Sequence, residues 1–240
     1  KSFALVEPYL AALFDEIEQA GATVRALGLR VKSFYMGGGT PTTLTAEQMD
    51  RLLTKLERCF DLTGLAELTI EAGRPDTIDR EKLAVLRAHG VTRVSVNPQT
   101  MEDHVLAAIG RRHTADDIRR AMREVMDAGF PHVNMDLIAG LPEDTPEGFA
   151  RSLDEVIAMG ADNVTVHTLS LKKGSRITLE GSRIPSADEV AAMLDYADPA
   201  LRAQGFAPYY LYRQKYMSGS FENVGWTKPD GEGLYNIYIM

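Results

Sequence analysis

The chain has 240 residues, 45% apolar and 25% charged, a size and balance that suit one sizeable globular α/β domain. Its 26 basic and 34 acidic residues leave a net charge of −8, which excludes a surface built to coat nucleic acid or an anionic membrane. A single cysteine, Cys59, excludes a disulfide framework or a zinc ribbon and points to a reducing compartment, the cytoplasm, and no apolar run is long enough to span a bilayer.

From Val6 to Leu27 the residues Leu10, Leu13, Phe14 and Ile17 recur at helical spacing, so the chain opens on an amphipathic helix. A short strand over Val31 to Met36 breaks at Gly37-Gly38-Gly39. Thr45-Ala46-Glu47-Gln48 reads as a capping box and starts a helix that runs to Phe60. One unit then recurs: an amphipathic helix, a glycine, and a β-branched strand. Gly90, Gly129, Gly160 and Gly205 stand where a helix ends in the left-handed conformation, ahead of strands at 92–97, 132–138, 163–169 and 208–213. Thr114, Thr145 and Ser186 mark helix starts. Strands joined by crossover helices are parallel, so the predicted architecture is a barrel or a doubly wound sheet, with no linker dividing it. The final Ile237-Tyr238-Ile239-Met240 reads either as a C-terminal strand or as a truncation point, and a start at Lys1 reads as a trimmed chain.

The strands alternate. Leu68, Ile70, Val94, Val96, Val133, Met135, Val164 and Val166 fall on one face; Thr69, Glu71, Ser95, Asn97, Asn134, Asp136, Thr165 and His167 fall on the other. A polar face in one register on four parallel strands is incompatible with a barrel interior filled by side chains. It predicts an open barrel whose lumen holds a large polar ligand, the alternative being water-filled polar contacts around a smaller one.

In parallel α/β folds the chemistry sits at strand C-termini, here 37–41, 71–75, 97–99, 136–142 and 168–176. Gly37-Gly38-Gly39 lets backbone approach a ligand but lacks the spacing of a Walker or dinucleotide loop. Glu71 and Asp136, ending two strands on the lumen side, are either an acid–base pair or acceptors for sugar hydroxyls. The histidines show no metal-ligand spacing; His89 and His113 read as solvent-facing, and His167 alone points inward. Cys59 reads as a small core residue late in a helix. Arg74, Arg111, Arg112, Lys172, Lys173, Arg176 and Arg183 gather at the expected mouth and suggest an anionic ligand.

Tyr35 to Pro41 with Leu44, and Asn134 to Pro142 followed by Thr145, Pro146 and Phe149, resemble the radical S-adenosylmethionine enzymes of the oxygen-independent coproporphyrinogen III oxidase family. Glu71 to Asp76, Asn97 to Thr100, Ile109 to Thr114, Thr165 to Thr168, Tyr209 to Lys215 and Phe221 to Gly225 are most similar to its HemZ-type coproporphyrinogen dehydrogenase branch. The resemblance implies a partial (β/α)6 barrel with parallel strands, its first βα unit largely missing, as a single radical SAM core domain. Residues 1–180 would form the barrel and 181–240 the start of a C-terminal substrate-side region. It implies that Gly38, Gly39 and Thr40 hold the methionine portion of S-adenosylmethionine. Glu71, Gln99 and Asp136 would contact its ribose and amino acid portions, Arg111 its carboxylate, and Ser170 would lie against the adenine.

The implied activity is the oxygen-independent oxidative decarboxylation of coproporphyrinogen III to protoporphyrinogen IX by a 5′-deoxyadenosyl radical, in haem synthesis. Lys172, Lys173, Arg176 and Arg213 would meet the substrate's carboxylates. The implied partners are the porphyrinogen and an electron donor such as a flavodoxin or ferredoxin, with neither nucleic acid nor membrane. The family ligates a 4Fe–4S cluster through Cys-x-x-x-Cys-x-x-Cys, which this sequence lacks, and Cys59 cannot replace three thiolates. The expectation is therefore a fragment without iron or turnover, or a natural relative without a cluster. Haem binding or delivery on the same core, and an unrelated barrel enzyme using Glu71 and Asp136 as acid and base, stand as the competing readings.

Overall fold

Helix α1 (Val6–Ala26) and helix α2 (Ala46–Cys59) form where the spacing predicts them, and the Thr45–Gln48 capping box is present with both reciprocal bonds. A cap of this kind stabilises a helix by about 1 kcal/mol. The computed structural model describes residues 3–170, 182–213 and 218–239. Helix α1 lies directly on the end of α2: a Cβ at Gly21 would stand 2.4 Å from the Cys59 carbonyl oxygen, so only glycine permits this approach.

Strands β1 (Ser33–Met36), β2 (Glu67–Glu71), β3 (Arg93–Gln99), β4 (His132–Ala139) and β5 (Asn163–Thr168) lie side by side in chain order, all parallel. Between them run α3 (Arg80–Ala88), α4 (Asp103–Ala108), α5 (Ala115–Asp127) and α6 (Pro146–Ala158), and α7 (Ala187–Ala203) follows β5. Thr114 and Ser186 cap α5 and α7 with capping boxes, and the Thr145 hydroxyl accepts from the Gly148 amide to cap α6. The apolar strand face is buried at every expected position. It packs on Leu52, Leu53, Leu86, Ile118, Met122, Leu153 and their neighbours from the helices. Each such side chain contributes about 1.5–3 kcal/mol by leaving water, so this face holds the half-barrel together.

The last part of the sheet departs from the repeating unit. The strand expected after Gly205 forms as β6 (Ala207–Tyr212), but β7 (Asn223–Thr227) inserts between β5 and β6, antiparallel to both. Only residues 213–222 separate β6 from β7, too few for a crossover helix, and a short connection returns the chain antiparallel. The terminal apolar run is helical, α8 (Leu234–Ile239), where a strand was one of the expectations. Its first turn is fixed by the Glu67 carboxylate, which accepts from the Leu234 and Tyr235 amides at 2.8 and 3.2 Å. Helix α8 packs against β1 and β6, the two edge strands, and so bridges the gap between the edges of the curled sheet, near the strand N-termini. No helix among the described residues is long and apolar enough to cross a membrane.

Candidate functional site

Register places the polar strand residues in rows. Glu71 pairs with Ser95, Ser95 with Asn134, and Asp136 with Thr165, so their side chains converge inside the curl. Thr69, Glu71, Ser95, Asn134, Asp136, Thr165 and His167 line a lumen cavity of about 310 Å³, closed on its far side by Tyr209, Tyr210, Tyr212 and Asn236. Gly225 makes room for this wall. A Cβ there would fall 1.8 Å from Tyr210 Cε1, so the Tyr210 ring crosses the strand only because position 225 is glycine.

Each lumen carboxylate has one oxygen engaged by the protein. Tyr35 donates its hydroxyl to Glu71 Oε1, and Asn134 Nδ2 donates to Asp136 Oδ1 at 2.8 Å. Asn134 is itself oriented: its Nδ2 also reaches Ser95 Oγ at 2.7 Å, and its Oδ1 accepts from the Thr165 hydroxyl at 3.2 Å. Neither second oxygen accepts a hydrogen bond among the described residues. Glu71 Oε2 has no partner among the described residues, and Asp136 Oδ2 faces His167 Nε2 at 3.7 Å. Burial, followed by the charge of Glu71, raises the Tyr35 phenol far above its ordinary range, so it stays a donor at any working pH.

The glycine loop adjoins this lumen from the other side of Tyr35. Gly37 to Pro41 line a second cavity of about 570 Å³, enclosed by α1, β1 and α2, and Tyr35 borders both spaces. The three glycines are there for different reasons. Gly38 and Gly39 have φ of 77° and 54°, a region costly to residues with a Cβ. Gly37 has no positive φ; its Cβ would meet Tyr35 Cε1 at 2.5 Å and Glu71 Oε1 at 2.9 Å. The turns after β1 and β2 are tied together beneath: the Thr42 and Thr77 hydroxyls lie 2.6 Å apart, and Lys82 Nζ donates to both of their carbonyls at 3.0 Å.

The other expected site residues lie outside these two cavities. Pro98 in β3 carries no amide proton, the ladder to β4 shifts between Val96 and Gln99, and Gln99 takes a φ of 71° with its Oε1 buried and unpartnered. Arg111 is half-buried, and its guanidinium makes no hydrogen bond or ion pair among the described residues; burial and the nearby Arg74 depress its pKa. Ser170 stands two residues beyond β5. Lys172, Lys173 and Arg176 lie outside the described residues.

Among the described residues, part of the expected basic mouth is paired. Arg74 binds Asp76 at 2.7 Å, Arg183 engages Glu189, and Arg213 pairs with Glu222 at 3.0 Å, while Arg112 is exposed. Two histidine expectations are corrected. His113 is 3% exposed with neither ring nitrogen hydrogen-bonded, Nδ1 lying 3.9 Å from Asp76 Oδ1, and burial with the Arg111 charge lowers its pKa. It packs inward because Thr114 begins α5 immediately after it. His89 is enclosed between Glu57 and Asp50, at 2.7 and 3.0 Å, joining α3 to α2. Sequence reasoning placed Asn134 and Thr165 on the lumen face without giving them a role, and passed over Tyr35 and Lys82 as site-building residues. The inward parity of Tyr35 was the available signal; nothing local marks Lys82.

Residues 9–156 match the family model described as the Radical SAM superfamily. The chain is 41% identical over 238 residues to the oxygen-independent coproporphyrinogen-III oxidase-like protein HemZ of Bacillus subtilis, covering 98% of this chain and 48% of that protein. It is 34% identical over 233 residues to the heme chaperone HemW of Mycobacterium tuberculosis, covering 95% of this chain and 56% of that one. Among solved structures, coproporphyrinogen III oxidase (HemN) from Escherichia coli, reported as a radical SAM enzyme, superposes with a TM-score of 0.76 at 27% identity. That match covers 93% of this chain and 50% of the other. The chain thus spans about half the length of the relatives it matches.

Proposed function

Since the chain belongs to the radical SAM superfamily, we propose that its lumen and glycine loop hold S-adenosylmethionine, as part of an enzyme that decarboxylates coproporphyrinogen III without oxygen. The observation that carries this reading is the matched pair of carboxylates. Glu71 and Asp136 each commit one oxygen to a protein donor and offer the other to the same small polar cavity. Two acceptors so arranged suit the vicinal hydroxyls of a ribose. At about 310 Å³ the lumen suits a nucleoside portion and not a tetrapyrrole, so the macrocycle would approach from the mouth.

In this reading Gly38, Gly39 and Thr40 hold the methionine portion along their backbone, and Gln99 turns its unpartnered oxygen to the ligand. Arg111, the half-buried guanidinium without a carboxylate, pairs with the methionine carboxylate, an interaction strengthened by its partial desolvation. Ser170 lies against the adenine. Lys172, Lys173, Arg176 and Arg213 meet the propionates, Arg213 exchanging Glu222 for substrate. Bound there, S-adenosylmethionine supplies the hydrogen-abstracting chemistry of the superfamily. In the whole enzyme each turn would take one hydrogen atom from a propionate, release carbon dioxide and pass one electron to an oxidised acceptor, leaving a vinyl group. Two turns give protoporphyrinogen IX, with an electron donor such as a flavodoxin or ferredoxin as partner.

The residues present do not fit an iron–sulfur cluster. Cys59 is the chain's one cysteine and is buried in the core, and among the described residues no group of His, Cys, Asp or Glu could hold a metal ion. A second reading, haem binding or delivery, is favoured by the identity to the heme chaperone.

Equilibrium dialysis tests the cofactor reading: the chain binds S-adenosylmethionine saturably, and Asp136→Ala removes that binding. Absence of saturable binding by the parent chain refutes it. Parallel titrations with coproporphyrinogen III and with haem separate the two substrates. Stoichiometric haem binding that coproporphyrinogen does not displace transfers the conclusion to the second reading.

A further inference from the structure

Tyr35 sits at the centre of a continuous path from the C-terminal helix to the glycine loop. Its ring stacks on Tyr235 of α8, with centroids 4.4 Å apart and planes 17° from parallel. Its hydroxyl donates to Glu71, and its Cε1 and the Glu71 carboxylate together occupy the space a Cβ at Gly37 would need. Tyr235 is anchored in turn. Its amide and that of Leu234 donate to Glu67, which is buried against Arg93, and Arg93 Nη2 binds the carbonyls of Gly231 and Glu232 at 2.8 and 3.1 Å. Asn236 adds a bond from its Nδ2 to the Tyr209 hydroxyl at 3.1 Å, fixing α8 to β6.

We propose that Tyr35 is a positioning residue for the nucleoside site, held in place by Tyr235, so that α8 sets the orientation of Glu71. The proposal rests on reading Glu71 as a ribose acceptor. A carboxylate at the end of a strand rotates about its side-chain torsions, and freezing such a side chain on binding costs roughly two- to tenfold in affinity. The Tyr35 bond removes this cost in advance by fixing Oε1 and leaving Oε2 toward the cavity. The stack supplies what the bond alone lacks, a fixed ring plane. Strand β1 is an edge strand four residues long, and Tyr35 is only partly buried, so the ring needs a partner on its open side. Tyr235 is that partner.

The test compares 5′-deoxyadenosine with 2′,5′-dideoxyadenosine, together with S-adenosylmethionine, by equilibrium dialysis against the parent chain and three variants. The parent binds the ribosyl ligand more tightly than the deoxyribosyl one. Tyr35→Phe keeps the ring and its stack but loses the hydroxyl. It weakens 5′-deoxyadenosine and S-adenosylmethionine about tenfold, as for loss of a hydrogen bond to a charged group, and nearly abolishes the preference for the 2′-hydroxyl. Tyr235→Phe preserves the stack and binds within about twofold of the parent, whereas Tyr235→Ala reproduces Tyr35→Phe. A general loosening of the fold would weaken both nucleosides equally and leave their ratio unchanged, which overturns the proposal. So does parental discrimination in Tyr35→Phe. If the parent itself does not distinguish the two nucleosides, the ribose reading of Glu71 fails, and that outcome is visible without any variant.

Discussion

Replacing Arg93 by Met should cost about 3 kcal/mol of folding stability, and the structure says where the cost arises. Arg93 and Glu67 are 5% and 4% exposed, on the lumen floor beneath α8. Removing one partner of such a buried pair costs roughly 3–5 kcal/mol, because the other charge is stranded. Two features hold the value at the low end. The Arg93 Nε to Glu67 Oε2 separation is 3.4 Å, and Glu67 keeps the Leu234 and Tyr235 amides when the arginine is gone. The Gly231 carbonyl likewise keeps Asn163 Nδ2 at 2.8 Å. Urea unfolding followed by circular dichroism measures the loss, and hydrogen exchange at Leu234 and Tyr235 localises it. Adding Glu67→Gln to Arg93→Met should recover part of the loss, since the stranded charge is gone and the one amide oxygen still accepts from one of the two α8 amides, although the other amide then faces the NH2 group. An Arg93→Met variant within about 0.5 kcal/mol of the parent, or a double variant less stable than the single one, refutes the reasoning.

Three further outcomes follow from single groups. Burial alone would lower the His89 pKa, but hydrogen bonds to Asp50 and Glu57 outweigh it and the net shift is upward. The clamp between α2 and α3 is therefore fully formed below the histidine's ordinary pKa and is lost as pH rises through its raised value. The stability difference between the parent and His89→Leu should be largest near pH 6 and shrink by pH 9 in urea titrations. Asp144 is 1% exposed, and burial raises its carboxyl to about 6 against the lowering Thr145 amide, with Glu102 adding to the rise and His104 and Arg151 opposing it. Its contribution is present below its unfolded value and disappears as pH rises through about 6. Asp144→Asn should thus gain up to about 3 kcal/mol relative to the parent between pH 4 and pH 7, and a constant difference would contradict this. Reconstitution of the 240-residue chain with iron and sulfide should give no cluster absorbance, and a Cys59→Ala control no change; a sulfur-to-iron band that the control lacks would show Cys59 to be a ligand after all.

Parity was the most legible signal in the chain. A parallel strand exposes every second residue to the same surface, so Ile70, Val94 and Met135 could be assigned to the helices and Glu71, Ser95 and Asp136 to the lumen before any contact was known. Caps at Thr45, Thr114, Thr145 and Ser186 were equally readable, because a capping hydroxyl acts on an amide only two or three residues away. The illegible features all depend on partners far along the chain. Nothing near Asn223 announces that β7 will sit beside β5, and nothing near Leu234 announces that Glu67 will cap a helix there. The ion pairs of Arg74, Arg183 and Arg213 had to be seen to reduce the expected basic mouth to Arg111 and Arg112 among the described residues. His113 was misjudged for the same reason: a histidine before a helix cap reads as exposed until the packing around Asp76 and Arg111 is known.

The polar strand face explains why this fold tolerates a poorly filled interior. Ser95, Asn134, Asp136 and Thr165 satisfy one another across three strands, so the lumen needs no ligand to hold its shape. Strands fix these side chains better than loops would, since the hydrogen-bonded register sets their spacing. Holding both carboxylates in advance spares two side chains their ordering cost on binding, about 1–3 kcal/mol together, or roughly five- to a hundredfold in affinity. A network that serves the ligand more than the fold has a distinct signature. Asn134→Leu, which leaves Asp136 without its donor, should weaken S-adenosylmethionine by at least about tenfold. The same change should lower stability by no more than about 1–2 kcal/mol, because the lumen side of Asn134 faces open space and not a packed core. A stability loss of about 3 kcal/mol or more in urea unfolding, with binding in dialysis within about twofold of the parent, would mean that the polar face is there for the fold, and that the match of Glu71 and Asp136 to a ribose is incidental.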